Sequence, residues 1–235
     1  LHSFPTRRSS DLKALQKTIF RQHGFPMPED VVVLASRWRD DPAAISREVE
    51  AAIPYPSFVK PANSGSSIGT SKARSREDLD EALEEAFRYD RKALVEVAVE
   101  GRQVEVAVLG NDEPEASPPG EITFEGEFYD YRAKYDDPST QLHIPADIPP
   151  QAAEEARAMA LAAYKAIDCA GLARVDFFFT PQEQLILNEV NTIPGFTPRS
   201  MYPKLWEHAG LSYRDLITRL IELALERHEE KRRCV

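Results

Sequence analysis

Apolar and polar residues alternate in two runs late in the chain, Ala173-Arg174-Val175-Asp176-Phe177-Phe178-Phe179 and Leu185-Ile186-Leu187-Asn188-Glu189-Val190-Asn191. Both are rich in Val, Phe, Leu and Ile, and Thr180-Pro181-Gln182-Glu183-Gln184 between them carries turn chemistry, so the pattern predicts a β-hairpin. Centred between Gln182 and Glu183, the hairpin pairs residues whose numbers sum to 365. Asp176 then faces Glu189, Arg174 faces Asn191, and alternation puts all four on one surface. The other surface would present Val175, Phe177, Phe179, Ile186, Asn188 and Val190 to a core.

The spacing elsewhere alternates helices with strands. Helical periodicity runs over residues 13–23 and stops at Gly24 and Pro26; a strand follows at 31–34, a helix at 43–53 and a strand at 57–61. Ser75, with Asp78 three residues on, opens a helix reaching about Tyr89. Residues 93–97 and 103–109 read as the strands of a second hairpin. Residues 111–149 are polar and proline-rich with short strand candidates, 150–167 a helix, and 213–227 the last helix. Its Leu216, Ile217, Leu220, Ile221, Ala224 and Leu225 are expected to form a core stripe. Residues 229–235 read as a frayed tail. Residues 1–12 lack periodicity and are placed outside the fold, as non-native sequence or a disordered leader.

At 235 residues, 42% hydrophobic and 29% charged, the chain can bury one large core or two small ones. A net charge of -10 argues against a broad basic surface for nucleic acid, though not against a local phosphate site. Cys169 and Cys234 lie far apart with no CxxC, which indicates neither a disulfide scaffold nor structural zinc and suits a reducing cytoplasm. No apolar run reaches the ~18 residues of a membrane span, and the start has no signal-peptide core. A cytoplasmic protein without membrane or nucleic-acid partners is expected.

Two carboxylates directly opposite across strands repel, so Asp176 and Glu189 need positive charge between them. With Asn191 they form an oxygen-rich set suited to magnesium; a solvated face with Arg174 as counter-ion is the alternative. The loop Ala62-Asn63-Ser64-Gly65-Ser66-Ser67-Ile68-Gly69 follows a strand ending in Lys60-Pro61. Its amides and hydroxyls could wrap phosphate, or it is a plain connector; GxxxxGK[ST] is absent. Glu96, Gln103 and Glu105 could receive an adenine amine and ribose hydroxyls, or be exposed strand-edge polar residues.

Four segments resemble the D-alanine:D-alanine ligases of the ATP-grasp superfamily: Val59 to Gly69, Phe128-Tyr129-Asp130-Tyr131-Arg132-Ala133-Lys134-Tyr135, Arg174-Val175-Asp176, and Asn188-Glu189-Val190-Asn191-Thr192-Ile193-Pro194-Gly195-Phe196-Thr197. They occur in the family's order, within a similarity running from about Lys13 to Ala224. The resemblance implies an α+β ATP-grasp fold with two α+β subdomains, 13–96 and 97–228, enclosing ATP. It further implies phosphorylation of one D-alanine carboxylate and attack by the amine of a second, with release of phosphate, for peptidoglycan precursor synthesis. Lys13 and Lys60 would contact phosphates, Ser66 and Ser67 would close over the γ-phosphate, and Glu96, Gln103 and the segment between would hold adenine and ribose. Asp176, Glu189 and Asn191 would hold two Mg2+ ions, with Mn2+ as a substitute. Arg174 and the Gly195 amide would stabilise the oxyanion, and Ser200 and Met201 would line the second D-alanine subsite. Lys134 and Tyr135 belong to a loop covering the site, with Tyr135 near Ser66, a Tyr-bearing form that favours D-alanine over D-lactate.

Two departures stand out. Gln103 replaces the usual ribose-binding Glu, and the family's N-terminal domain precedes the match to Lys13. Relatives are commonly homodimers when full length. An ATP-grasp ligase with another acceptor, and a nucleotide-binding module inactive without its N-terminal domain, are the competing readings.

Overall fold

Two antiparallel sheets organise the chain in the computed structural model, which describes residues 13–63, 67–124 and 140–233. The sheets belong to separate units. Among described residues, the first takes 13–18, 27–63, 67–100, 124 and 140, and the second takes 19–26, 101–123 and 141–233.

The first unit's sheet has the order β1-β4-β2-β3, from β1 (Asp30–Leu34), β2 (Ser57–Pro61), β3 (Ser71–Ala73) and β4 (Lys92–Val97). Helix α1 (Lys13–Gln22) begins in this unit, its first N–H donating to Ala62 O (3.1 Å) where β2 ends. The helices α2 (Ala35–Asp40), α3 (Pro42–Ala52) and α4 (Arg76–Phe87) cover the sheet. Sequence periodicity gave no hint of α2, whose six residues are too few to show a repeat; Ala35 and Trp38 bury it. Asp41 caps α3 by accepting the Ala44 N–H (2.9 Å), with Pro42 behind it. Ser75 accepts from Asp78 N (3.2 Å), and Asp78 takes the Arg74 N–H (2.8 Å). The core joins Val33, Trp38, Ile45, Val49, Val59, Leu79, Leu83 and Val95. Fully buried Leu79 and Leu83 each contribute about 1.5–3 kcal/mol by leaving water.

The second unit is built around β5 (Arg102–Gly110), which pairs with β6 (Glu115–Ala116) and β7 (Gly120–Thr123) on one side and β9 (Gly171–Phe179) on the other. Strands β8 (Gln141–His143) and β10 (Leu185–Asn191) flank β7 and β9. The hairpin expected between 93–97 and 103–109 does not form. Both strands exist, but β4 pairs with β1 and β2 while β5 belongs to the other sheet. Helix α5 (Pro150–Ala166) lays Ala152, Ala156, Ala160 and Ala163 on the sheet, where small side chains allow a close approach. The Tyr164 hydroxyl donates to Gly110 O (2.7 Å), and the Tyr202 hydroxyl of α6 (Met201–His208) to Val108 O (2.9 Å). At Gly120, under α6, a Cβ would lie 2.8 Å from Leu205 Cδ2 and 2.9 Å from Met201 Sδ, so these side-chain ends would have to shift to admit one.

The last helix, α7 (Tyr213–Arg233), departs from expectation twice. It stays helical through the charged segment to Arg233. Its core row is Leu216 and Leu223, with Leu220 partly buried; Ile217 (38%), Ile221 (57%) and Leu225 (60%) are exposed. The helix carries two neighbouring apolar rows, and the sheet covers one.

The β9–β10 hairpin reaches its expected register by an unexpected route. Its loop is the three residues Pro181-Gln182-Glu183, with Thr180 N bonded to Gln184 O (2.9 Å) and Glu183 at φ 58°. An odd loop shifts the pairing by one, so Leu185 faces Phe179 and Leu187 faces Phe177. A β-bulge at Asn188 then shifts it back, and Glu189 faces Asp176 and Asn191 faces Arg174. Leu185 and Leu187, not Ile186 and Asn188, therefore join Val175, Phe177, Phe179 and Val190 in the core.

Candidate functional site

Three strands of the second unit carry a row of charge. Glu105 on β5 faces Asp176 on β9, which faces Glu189 on β10. Arg174, two residues from Asp176 on the same strand face, grips that carboxylate with both arms: Nε to Oδ1 at 2.7 Å and Nη2 to Oδ2 at 2.8 Å. The same Nε lies 3.0 Å from Glu105 Oε2. Asn191 closes the row, its Nδ2 donating to Asp176 Oδ2 (2.8 Å) and Glu189 Oε1 (3.2 Å). Burial opposes the Arg174 charge, but Asp176 and Glu105 outweigh it and hold the guanidinium above its ordinary pKa.

Arg174, Asp176, Glu189 and Asn191 are thus brought together as the sequence suggested. Glu105, readable from the sequence as a nucleotide contact or an exposed strand-edge residue, is buried and lies against Arg174. Gln103, two residues before it, is half-buried opposite Phe178 and Ile122.

The first unit holds the opposite arrangement. Glu96, 3% exposed near the end of β4, faces two ammonium groups: Lys17 Nζ on α1, 2.7 Å from Oε1, and Lys60 Nζ on β2, in contact with Oε2. Lys17 is as buried as Glu96, whereas the Lys60 side chain is 14% exposed. Burial alone would raise the Glu96 pKa, yet the two lysines pull it below the carboxylate range. Burial lowers the pKa of Lys17, and the like charge of Lys60 adds to that against the pull of Glu96. Asp30 on β1 also favours the charged form of Lys17, but burial and Lys60 outweigh the two carboxylates and press the deeper lysine toward its neutral form. Lys17 escaped the sequence reading because a lysine one turn after Lys13 looks like any surface residue.

The remaining predicted residues fall in both units. Ser67 sits at φ 57° in a turn closed by Thr70 N to Ser67 O (3.2 Å). That turn continues to Gly69, at φ +72°, where a Cβ would strike Tyr89 Cδ2 at 2.5 Å. Gly195 is exposed after β10; Ser200 Oγ accepts the Thr197 N–H (3.1 Å), and Met201 is buried toward Gly120. Ser66, Lys134 and Tyr135 lie outside the described residues.

The donor set on β9 and β10 fits a hard divalent cation. Asp176 and Glu189 stand side by side with the Asn191 amide hydrogens bridging them, where a cation would otherwise balance the pair. Among the described residues no group of three His, Cys, Asp or Glu side chains is placed to hold a metal, so the set is two carboxylates and an amide. Within the row the carboxylates of Glu105, Asp176 and Glu189 lie around the Arg174 guanidinium, whereas Glu96 lies between two lysine ammonium groups. Nor is any described helix long and apolar enough to cross a membrane.

Comparisons with known proteins identify the family. The family model for the D-Ala D-Ala ligase C-terminus matches residues 19–222. The D-alanine–D-alanine ligase of Bacillus velezensis is 51% identical over 219 residues, covering 93% of this chain and 62% of the relative. That of Geobacillus thermodenitrificans is 50% identical, covering 93% and 60%. Among solved structures, the D-alanine-D-alanine ligase from Coxiella burnetii superimposes with a TM-score of 0.82 at 36% identity, over 96% of this chain and 59% of that one. The VanG D-Ala:D-Ser ligase from Enterococcus faecalis gives 0.81 at 36%, over 92% and 62%. The chain spans about three fifths of the length of the curated relatives it matches. The two antiparallel α+β units are those of an ATP-grasp fold, and with the charged row lying inside the matched segment, the chain belongs to the D-alanine–D-alanine ligase family as its C-terminal part.

Proposed function

We propose that the whole protein joins two D-alanine molecules at the expense of ATP, through an acyl phosphate, and that this chain supplies the nucleotide- and magnesium-binding part. The observation that carries the reading is the row on β9 and β10, where the Asp176 and Glu189 carboxylates stand side by side with the Asn191 amide bridging them. Two Mg2+ ions held by Asp176, Glu189 and Asn191, or Mn2+ in their place, supply positive charge opposite the phosphate oxygens. Lys60, the more accessible of the Glu96 lysines, turns to a phosphate, with Lys13 and the Ser66-Ser67 loop beside it. Glu96 acts at the nucleotide through Lys60, and Gln103 accepts a ribose hydroxyl. Arg174 donates to the oxyanion of the tetrahedral intermediate together with the Gly195 N–H. Ser200 and Met201 border the second D-alanine, and Lys134 with Tyr135 covers the site.

The test is MgATP binding together with D-alanine-dependent phosphate release, in this chain and in Glu189→Ala. Mg2+-dependent binding that disappears in the variant supports the reading; a parent chain that binds no MgATP refutes it. Phosphate release adds ligation to binding, and binding without release favours a module inactive without its N-terminal part. The VanG D-Ala:D-Ser ligase matches at the same identity as the Coxiella enzyme, so D-serine is the alternative acceptor. An acceptor panel of D-alanine, D-serine and D-lactate separates the choices. Cytoplasmic location and a full-length homodimer complete the proposal.

A further inference from the structure

Arg174 has two anionic partners of different character. Asp176 belongs to the cation-binding set, with Asn191 and Glu189 beside it, and its side chain is 13% exposed. Glu105 comes from β5, is 4% exposed at its side chain, and lies on the far side of the row from Glu189. A cation drawing the Asp176 oxygens competes for the lone pairs that Arg174 uses, because both of its bonds to Asp176 end on those two atoms. Without a second anchor, loading the cation would release the guanidinium whose position the chemistry requires. Glu105 stands ready as that anchor: its Oε2 is ion-paired with Nε at 3.0 Å and lies out of the cation set, while the single Nε–H is donated to Asp176 Oδ1 and would turn to Glu105 only when that bond is given up.

Its position is specified by the sheet. Ala107 faces Arg174 across the β5–β9 ladder, and its small side chain leaves the long arginine free to run along the face toward Glu105. On the other flank Gly120 faces Glu105, so no side chain from β7 contests the carboxylate's place. A buried carboxylate that met no cation would cost stability, so Glu105 and Arg174 depend on each other.

We propose that Glu105 is a positioning residue of the ligation site, keeping the Arg174 guanidinium in place when Asp176 turns to its cation. The inference rests on the cation-binding reading of Asp176 given above. It gives Arg174 one exchangeable partner and one permanent one.

The experiment follows the Arg174 Nε–H by heteronuclear NMR on the whole chain, with the signal assigned by its loss in Arg174→Lys. Exchange of this proton with water is measured free and with saturating MgATP, in the parent chain and in Glu105→Gln. In the parent, the proton stays protected in both states. In Glu105→Gln it stays protected in the free state, held by Asp176, and exchanges at least about tenfold faster once MgATP is bound, the scale of losing one charge-assisted hydrogen bond. A purely structural role for Glu105 would change both states alike. Protection that survives loading in Glu105→Gln overturns the proposal, as does loss of protection on loading in the parent, a result that needs no variant to fold. MgATP binding is recorded on the same samples. Failure of the parent to bind it overturns the cation reading as well, whereas binding without the expected exchange overturns the role of Glu105 alone.

Discussion

Replacing Glu96 by glutamine should cost the first unit far more than replacing Lys17 by methionine, although the two side chains touch. Glu96→Gln keeps the shape and removes a carboxylate that is ion-paired with both Lys17 and Lys60. Lys60 can turn its ammonium toward water, but Lys17, 3% exposed, cannot. Stranding one buried charge costs about 3–5 kcal/mol. Lys17→Met leaves Glu96 paired with Lys60 and fills the lysine's path with a chain of similar length, for about 0–1.5 kcal/mol. The assay is built into the chain, whose two tryptophans fall one to a unit: Trp38 packs in the first core and Trp206 in the second. In a Trp206→Phe background, urea unfolding followed by fluorescence reports the first unit alone. At a slope of ~1.5 kcal/mol per M, Glu96→Gln lowers the midpoint by about 2 M or more.

The pH dependence checks the same cluster. The Glu96 pKa is depressed in the folded state, so its contribution is present above the unfolded value of about 4.3 and is lost as pH falls through the folded value. The acid limb of the stability curve should flatten in Glu96→Gln. Lys17 is depressed too, so between its folded value and the unfolded value of about 10.4 the unfolded chain binds more protons and stability rises with pH. Lys17→Met should remove that rise. Equal costs for the two variants, or a cost below about 1 kcal/mol for Glu96→Gln, would refute the account of the cluster.

Gly69→Ala meets a positive φ, the Tyr89 ring and Pro61 Cγ, and should destabilise the first unit by about 1–3 kcal/mol; adding Tyr89→Ala should recover only the share due to that ring, read through Trp38. Arg174→Lys loses the two-armed grip on Asp176 and the reach to Glu105, and should cost the second unit about 1.5–3 kcal/mol by Trp206 fluorescence in a Trp38→Phe background. Ile221→Lys on the uncovered face of α7 should change stability by less than about 0.5 kcal/mol in the same assay, whereas a core stripe would have made it severe.

What could be read in advance follows from how local each signal is. The strands β9 and β10 announce themselves by alternation, and the facing of Asp176 with Glu189 was legible from it. The route was not: the three-residue loop and the bulge at Asn188 each shift the register by one and cancel, and the sequence rule contained neither. Partners across the sheet were invisible. Nothing within β5 shows that it lies beside β9 instead of β4, so Glu105 gave no sign of its arginine. Lys17 became significant only through Glu96, far along the chain. In α7 the apolar spacing was read correctly as helical, but it offers two rows and only the tertiary contacts choose between them.

The order of strands in the second sheet also constrains how the site is assembled. β9 and β10 are joined by three residues and can pair early, whereas β9 reaches β5 only by closing a long intervening stretch of chain. Arg174 and Asp176 travel together on β9, so the hairpin arrives with its guanidinium already matched on one side. Glu105 waits on a strand synthesised earlier, and its desolvation can be completed only as Arg174 docks. Closure of the β5–β9 ladder is thus also what brings Glu105 to its arginine, and a chain ending before β9 would lack Arg174 to meet that carboxylate.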